Sequence, residues 1–245
     1  MAKKHHFKIN DKSIAVIQAR MKSTRYPGKV MFPFSGKPAM EHILDSALQV
    51  FDPPRVYVVT SVDPANDAIV ALCKQKAVNV YRGDEDNVAS RFWDILHAVP
   101  CDYFVRLNAD SPLLDHRIII RAADIATSSG DAADIVSTSS PRNFPSGMNV
   151  EIVRSRTFLN EYSYFSDTEH FEHVTLYFYQ NLHKFVIKSV PSKLEKPQSY
   201  KFSFDTDEDR KRMEAIFESL SMPHYKYTLR QKCRIYDGLF GGKNC

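Results

Sequence analysis

Short runs of β-branched and aromatic residues recur through the first half of the chain, each followed by a longer stretch with helical spacing. The runs are SIAVIQA (13–19), RVYVVTS (55–61), VNVY (78–81), DYFVRLN (102–108) and ADIVSTS (133–139). Short apolar runs bounded by polar residues read as buried strands. Between them, PAMEHILDSALQVF (38–51), PANDAIVALCKQKA (64–77), NVASRFWDILHAV (87–99) and DHRIIIRAADIATSSG (115–130) carry helical spacing. Asp115 is placed to cap the last of these and Gly130 to stop it. Strand alternating with helix predicts an α/β fold: a single Rossmann-like domain whose mixed, mostly parallel sheet carries helices on both faces.

Beyond residue 140 the pattern loosens. SSPRNFPSGMNVEIV reads as a loop feeding a strand, SRTFLNEYSYF and DTEHFEHVTLYFYQNL as helices, and KFVIKSV and SYKFSF as strands. DTDEDRKRMEAIFESL has acids in its first turn and apolar residues at Met213, Ile216, Phe217 and Leu220, so a helix is expected. With no repeat and no long Pro/Gly/Ser linker, the expected organisation is a flexible 1–12, one domain over 13–221, and a tail or helix over 222–245.

A chain of 245 residues with 25% charged and 43% hydrophobic residues has the composition of a soluble globular protein. The net charge of +4 is small and its signs are interspersed, so no nucleic-acid partner is expected. No apolar run is long enough to span a membrane. Four cysteines without a CxxC pair, and a polar start, point to reduced thiols and a cytoplasmic location.

Ligands of such sheets bind beyond the carboxyl ends of the strands. The loops after residues 19, 61, 81 and 108 should therefore share one edge. The first, QARMKSTRYPGK (18–29), carries Arg20, Lys22, Arg25 and Lys29 and no acid. Cationic side chains and backbone N–H groups at the end of a first strand suit phosphate; a solvated surface loop is the plainer alternative. The loop is neither a Walker A sequence nor GxGxxG.

ARMKSTRYPGK resembles the N-terminal signature A-R-x-x-S-x-R-x-P-G-K of the bacterial cytidylyltransferases. These include the synthetases of CMP-activated 3-deoxy-octulosonic and sialic acids. The resemblance is strongest to a branch named for a spore coat polysaccharide protein and covers roughly residues 13 to 220. GKP (36–38), YRGDEDNVASRFWD, VRLNADSPLLD, FPSGMNVEIV, EHFEHVT and FSFDTDED follow in the same order. It implies the nucleotide-diphospho-sugar transferase type of fold and a CTP-dependent transfer of CMP to an acidic sugar or phosphorylated acceptor, with release of pyrophosphate.

Site roles follow from that resemblance. Arg20, Arg25 and Lys29 would offset charge on the triphosphate, with Ala19 and Ser23 beside it. Asp110 and Asp205, each where a strand runs out, would hold Mg²⁺; Asp205 also suits a helix cap. Arg82, Asp86, Asn87 and Arg106 would face the nucleotide, although a solvated capping turn also explains Asp86 and Asn87. Asn149, Glu151, Glu172 and His173 would face the acceptor, with Asn149 standing where relatives commonly have Asp. Nearby Arg142, Arg154 and Arg156 would suit an acidic acceptor. The later aromatic elements would pair two copies into a homodimer. DTD (205–207) imitates the metal motif of a glycosyltransferase, which is the alternative enzyme class. A nucleotide-binding protein without turnover is the non-enzymatic one.

Overall fold

The computed structural model describes residues 13–23, 25–128 and 133–241; the expected flexible segment 1–12, with Thr24, Gly130 and Cys245, lies outside them. Strand β1 (Ser13–Gln18) leads through a small hairpin, β2 (Pro33–Phe34) with β3 (Lys37–Pro38), into α1 (Ala39–Ala47). The alternation follows: β4 (Val56–Ser61), α2 (Asp67–Gln75), β5 (Asn79–Gly83), α3 (Val88–Ala98), β6 (Tyr103–Asn108) and α4 (His116–Thr127). Asp115 caps α4, accepting from the Arg117 amide. Then come β7 (Ile135–Ser137), β8 (Glu151–Arg154), α5 (Ser155–Glu161), α6 (Thr168–His173), α7 (Leu176–Gln180), β9 (Ile187–Ser189), α8 (Asp207–Glu218) and α9 (Leu229–Phe240).

Among the described residues, seven strands form one sheet in the order β5-β4-β1-β6-β8-β7-β9. β1, β4, β5 and β6 run parallel, so the loops that follow them leave at one edge. β8 is antiparallel to both its neighbours. Alternate residues of β1 point to opposite faces. Ala15 and Ile17 pack against apolar residues of α1, α2, α4 and α8. Ile14 and Val16 pack against those of α3, α5 and α7. A strand buried on both faces needs a continuous apolar run, which is what SIAVI supplies.

Two expectations about the second half are corrected. SYKFSF is not a strand of the sheet: Lys201 makes an isolated parallel bridge to Ser146, and the Phe202 amide donates to the Ser146 carbonyl at 2.7 Å. The Phe204 amide donates to the Asp110 carbonyl at 3.4 Å, so two loops hold this extended segment and, among the described residues, it gains no strand neighbour. DTEHFEHVTLYFYQNL is two helices, not one. They are divided at Val174 (φ 54, ψ −53), where the Thr175 amide turns back to the His173 carbonyl. This is a γ-turn of the hand that L residues rarely adopt. Val174 is β-branched and fully buried, so the strain is maintained by packing.

The last helix docks on the domain. Cys233 joins the core, Leu229, Ile235 and Tyr236 pack against it, and Lys232 is fully buried. Burial pulls the Lys232 pKa down from 10.5 to about 7, with Asp115 opposing that shift and Arg117 adding to it. Between those values the unfolded chain holds a proton that the folded one has released, so stability rises with pH. Urea titrations from pH 7 to 9 should show this rise, and Lys232→Met should flatten it.

Candidate active site

Residues of the first loop, β6 and α6 enclose a cleft of about 430 Å³ at the carboxyl edge of the sheet. The first loop is closed by its own backbone, the Gly28 amide donating to the Met21 carbonyl at 2.8 Å. Gly28 has φ 75, a left-handed conformation suited to glycine, and it starts the turn Lys29–Met31. The Met21 amide donates to Asn66 Oδ1 at 2.8 Å, tying the loop to the segment before α2.

That closure sends Lys29 inward. Its Nζ donates to Asp110 Oδ2 at 2.7 Å and to Asp205 Oδ1 at 2.8 Å. Burial favours the neutral amine, but Asp110 and then Asp205 outweigh it by charge and hydrogen bonding, so the pKa is raised. Arg25, which is exposed, reaches Asp205 Oδ1 at 3.2 Å. Three segments far apart in sequence thus meet at one ammonium. Asp205 does not cap α8, because Thr206 does, accepting from the Asp209 amide.

A second cluster lies beside the cleft: its Gln18 and Arg106 line it, whereas Glu151, expected to face an acceptor, is buried behind them beside Thr175 and Tyr179. Arg106 and Glu151 are register partners across β6 and β8, and Arg106 Nη1 donates to Glu151 Oε2 at 2.5 Å. Arg106 Nε donates to Gln18 Oε1 at 3.0 Å. Glu151 also accepts from Thr175 Oγ1 and from Tyr179 Oη. Burial, then the Glu151 charge, push the Tyr179 phenol pKa far up, so it remains a donor. The Val174 turn joins this cluster to the cleft wall. Before it, Glu172 receives Arg20 Nη2 at 2.5 Å and His173 lines the cleft; after it, Thr175 turns to Glu151. Removing one partner of a buried ion pair costs about 3–5 kcal/mol. Glu151→Ala should therefore lower the unfolding free energy by about that amount, read by urea titration.

The structure brings Ala19, Arg20, Ser23, Arg25, Lys29, Arg106, Asp110, Glu172 and His173 to the cleft, and Asp205 meets it through Lys29. It does not bring Arg82 there. That guanidinium binds the Ser61, Val62 and Asp63 carbonyls and Asp67, bracing the loop after β4. Asn87 caps α3, accepting from the Ser90 amide, and donates to Tyr162. Asp86 is exposed in the same turn, where its amide donates to Asp84. Asn149 lies half-buried in the loop entering β8. Arg154 pairs with Tyr103, at the end of β6 away from the cleft. Lys22 pairs with Asp63 outside it.

Sequence reading missed Gln18, Asn108, Thr175 and Tyr179. The first two end β1 and β6 with a polar residue, a signal that was available. Thr175 and Tyr179 depend on the turn at Val174, which helical spacing does not reveal. Arg91, one turn into α3, is fully buried and holds the Asp84 and Glu85 carbonyls at 2.6 Å, shaping the wall.

Comparison with known proteins identifies the family and the fold. The spore coat polysaccharide biosynthesis protein SpsF of Bacillus subtilis is 27% identical over 210 residues, 83% of this chain and 85% of its own. A 3-deoxy-manno-octulosonate cytidylyltransferase of Escherichia coli is 34% identical over 106 residues, 43% of this chain and 42% of its own. Among solved structures, a cytidylyltransferase from Leptospira borgpetersenii superposes with a TM-score of 0.85 at 24% identity, covering 94% of each chain. A CMP:2-keto-3-deoxy-manno-octonic acid synthetase complexed with CTP superposes at 0.63 with 19% identity, over 84% of this chain and 98% of that one. The profile of the cytidylyltransferase family matches residues 14–236, and the chain belongs to that family of nucleotidyltransferase enzymes.

Proposed function

We propose that this cleft moves CMP from CTP to an acidic sugar or a phosphorylated small molecule, releasing pyrophosphate, in the synthesis of a surface polysaccharide. The observation that carries the reading is the Lys29 ammonium held between Asp110 and Asp205, with Arg20 and Arg25 in the same cleft. The family supplies the reaction class, and the relative named for spore coat polysaccharide supports the pathway class.

The residues fit Mg²⁺. Asp110 and Asp205 offer two hard carboxylates that the Lys29 ammonium brings together. Among the described residues no group of three or more His, Cys, Asp or Glu is arranged to hold a metal. One or two carboxylates, completed by substrate phosphates and water, is the usual Mg²⁺ arrangement. Bound there, the ion would offset triphosphate charge and lower the pKa of the attacking hydroxyl. The chain's own cations do the rest. Arg20 and Arg25 donate planar N–H pairs to phosphate oxygens, and Lys29 places a buried charge where negative charge develops as the acceptor oxygen attacks in line. Glu172, which holds Arg20, orients that guanidinium.

Pyrophosphate release tests the reading, with acceptors supplied as two pools: 2-keto-3-deoxy sugar acids and phosphorylated polyols. Release with one pool, abolished by EDTA and restored by Mg²⁺, is expected. Activity that survives chelation would remove the metal from the reading.

A further inference from the structure

The C-terminal segment grips the turn that carries Asp110. After β6 the chain folds one tight turn, the Leu114 amide donating to the Ser111 carbonyl at 3.1 Å, and Leu113 and Leu114 are buried. Lys232 Nζ, from α9, donates to the Leu113 carbonyl at 2.7 Å. The Leu229 amide, at the start of α9, donates to Asp115 Oδ2 at 2.7 Å. Ser46 Oγ, from α1, donates to the Leu114 carbonyl at 3.0 Å and lies 3.0 Å from His224 Nε2. Leu229 and Lys232, with Ser46 of α1 backed by His224, thus converge on 113–115, just beyond Asp110.

Packing does not explain the choice of a lysine at 232. A fully buried amine loses its hydration, and an apolar residue of similar length would dock α9 without that cost. What the lysine adds is a donor for the Leu113 carbonyl, three residues from a carboxylate that must meet Lys29 and Asp205.

We infer that Lys232 is a positioning residue that, through the Leu113 carbonyl, sets the Asp110 carboxylate for metal–nucleotide binding. The inference rests on Asp110 serving the metal and nucleotide as proposed above. Loss of a group that orients a metal ligand typically costs about 10–100-fold in affinity.

Calorimetric titration of CTP in the presence of Mg²⁺, on the full chain, tests it. Three variants are compared, each with its melting temperature. Lys232→Met removes the donor and keeps the length. Ser46→Ala removes the second grip on the turn and supplies the test if Lys232→Met fails to fold. Ile235→Ala loosens α9 packing and touches no hydrogen bond to the turn. Weakening by about tenfold in Lys232→Met and severalfold in Ser46→Ala is expected, with Ile235→Ala within about twofold of the parent even where its melting temperature falls as far. Unchanged affinity in a folded Lys232→Met would overturn the inference, as would unchanged affinity in Ser46→Ala where Lys232→Met does not fold, or equal weakening in Ile235→Ala. Failure of the parent chain to bind CTP with Mg²⁺ would instead overturn the reading of the cleft itself.

Discussion

Lys29→Ala is expected to lower kcat/KM by about 10²–10³, the range for losing one oriented charge-stabilising donor. Two effects act together. The ammonium that would face developing phosphate charge is gone. Asp110 and Asp205, each within 2.8 Å of that nitrogen, lose the cation between them and repel. Lys29→Arg keeps the charge, but a planar fork does not fit a site built around a point charge contacted from two sides, so it should restore little. Steady-state kinetics with CTP at fixed Mg²⁺ check both variants. Near-normal turnover in Lys29→Ala would remove the residue from the mechanism.

Gly147→Ala should damage stability and catalysis together. Gly147 has φ 87, and a Cβ there would stand 2.3 Å from the Phe202 carbonyl carbon and 2.5 Å from the Ser203 nitrogen. Those are backbone atoms, so the segment leading to Asp205 must shift. Overpacking costs about 1–3 kcal/mol and a strained backbone about as much again. A displacement of about 1 Å in a catalytic group can cost about 10²-fold in rate. Gly36→Ala is the matched control: it also has positive φ, but nothing lies within 4 Å of the added carbon. It should cost about 1–2 kcal/mol of backbone strain and leave kcat/KM unchanged. Equal activity loss in the two variants would show that Gly147 matters through folding alone.

Both predictions concern long-range meetings, and these mark the limit of what the sequence shows. The runs at 13–19, 55–61 and 102–108 announce β1, β4 and β6, because buried strands are rich in β-branched and aromatic residues bounded by polar ones. The rule that ligands gather at the carboxyl edge then brings the first loop and Asp110 together. Asp205 needed the resemblance, since a loop brings its segment to the site and no strand pairing does. Arg82 was read as facing the nucleotide because the resemblance places its segment there, yet four local acceptors draw it to the loop after β4. A side chain's direction at the end of a strand is decided by its nearest acceptors, which spacing does not report. The turn at Val174 was illegible for a related reason. A buried β-branched residue with positive φ contradicts its own local preference and is held by the packing around it.

Whether this cleft transfers CMP is decided by pyrophosphate release with CTP, UTP, ATP and GTP in turn, in the presence of Mg²⁺ and the acceptor pools, for the parent chain and for Asp110→Asn. Release with CTP alone is expected, and its loss in the variant, whose amide keeps the size of the carboxylate and removes its charge. Release driven by another nucleotide, or a rate in Asp110→Asn equal to that of the parent, would contradict this reading of the cleft.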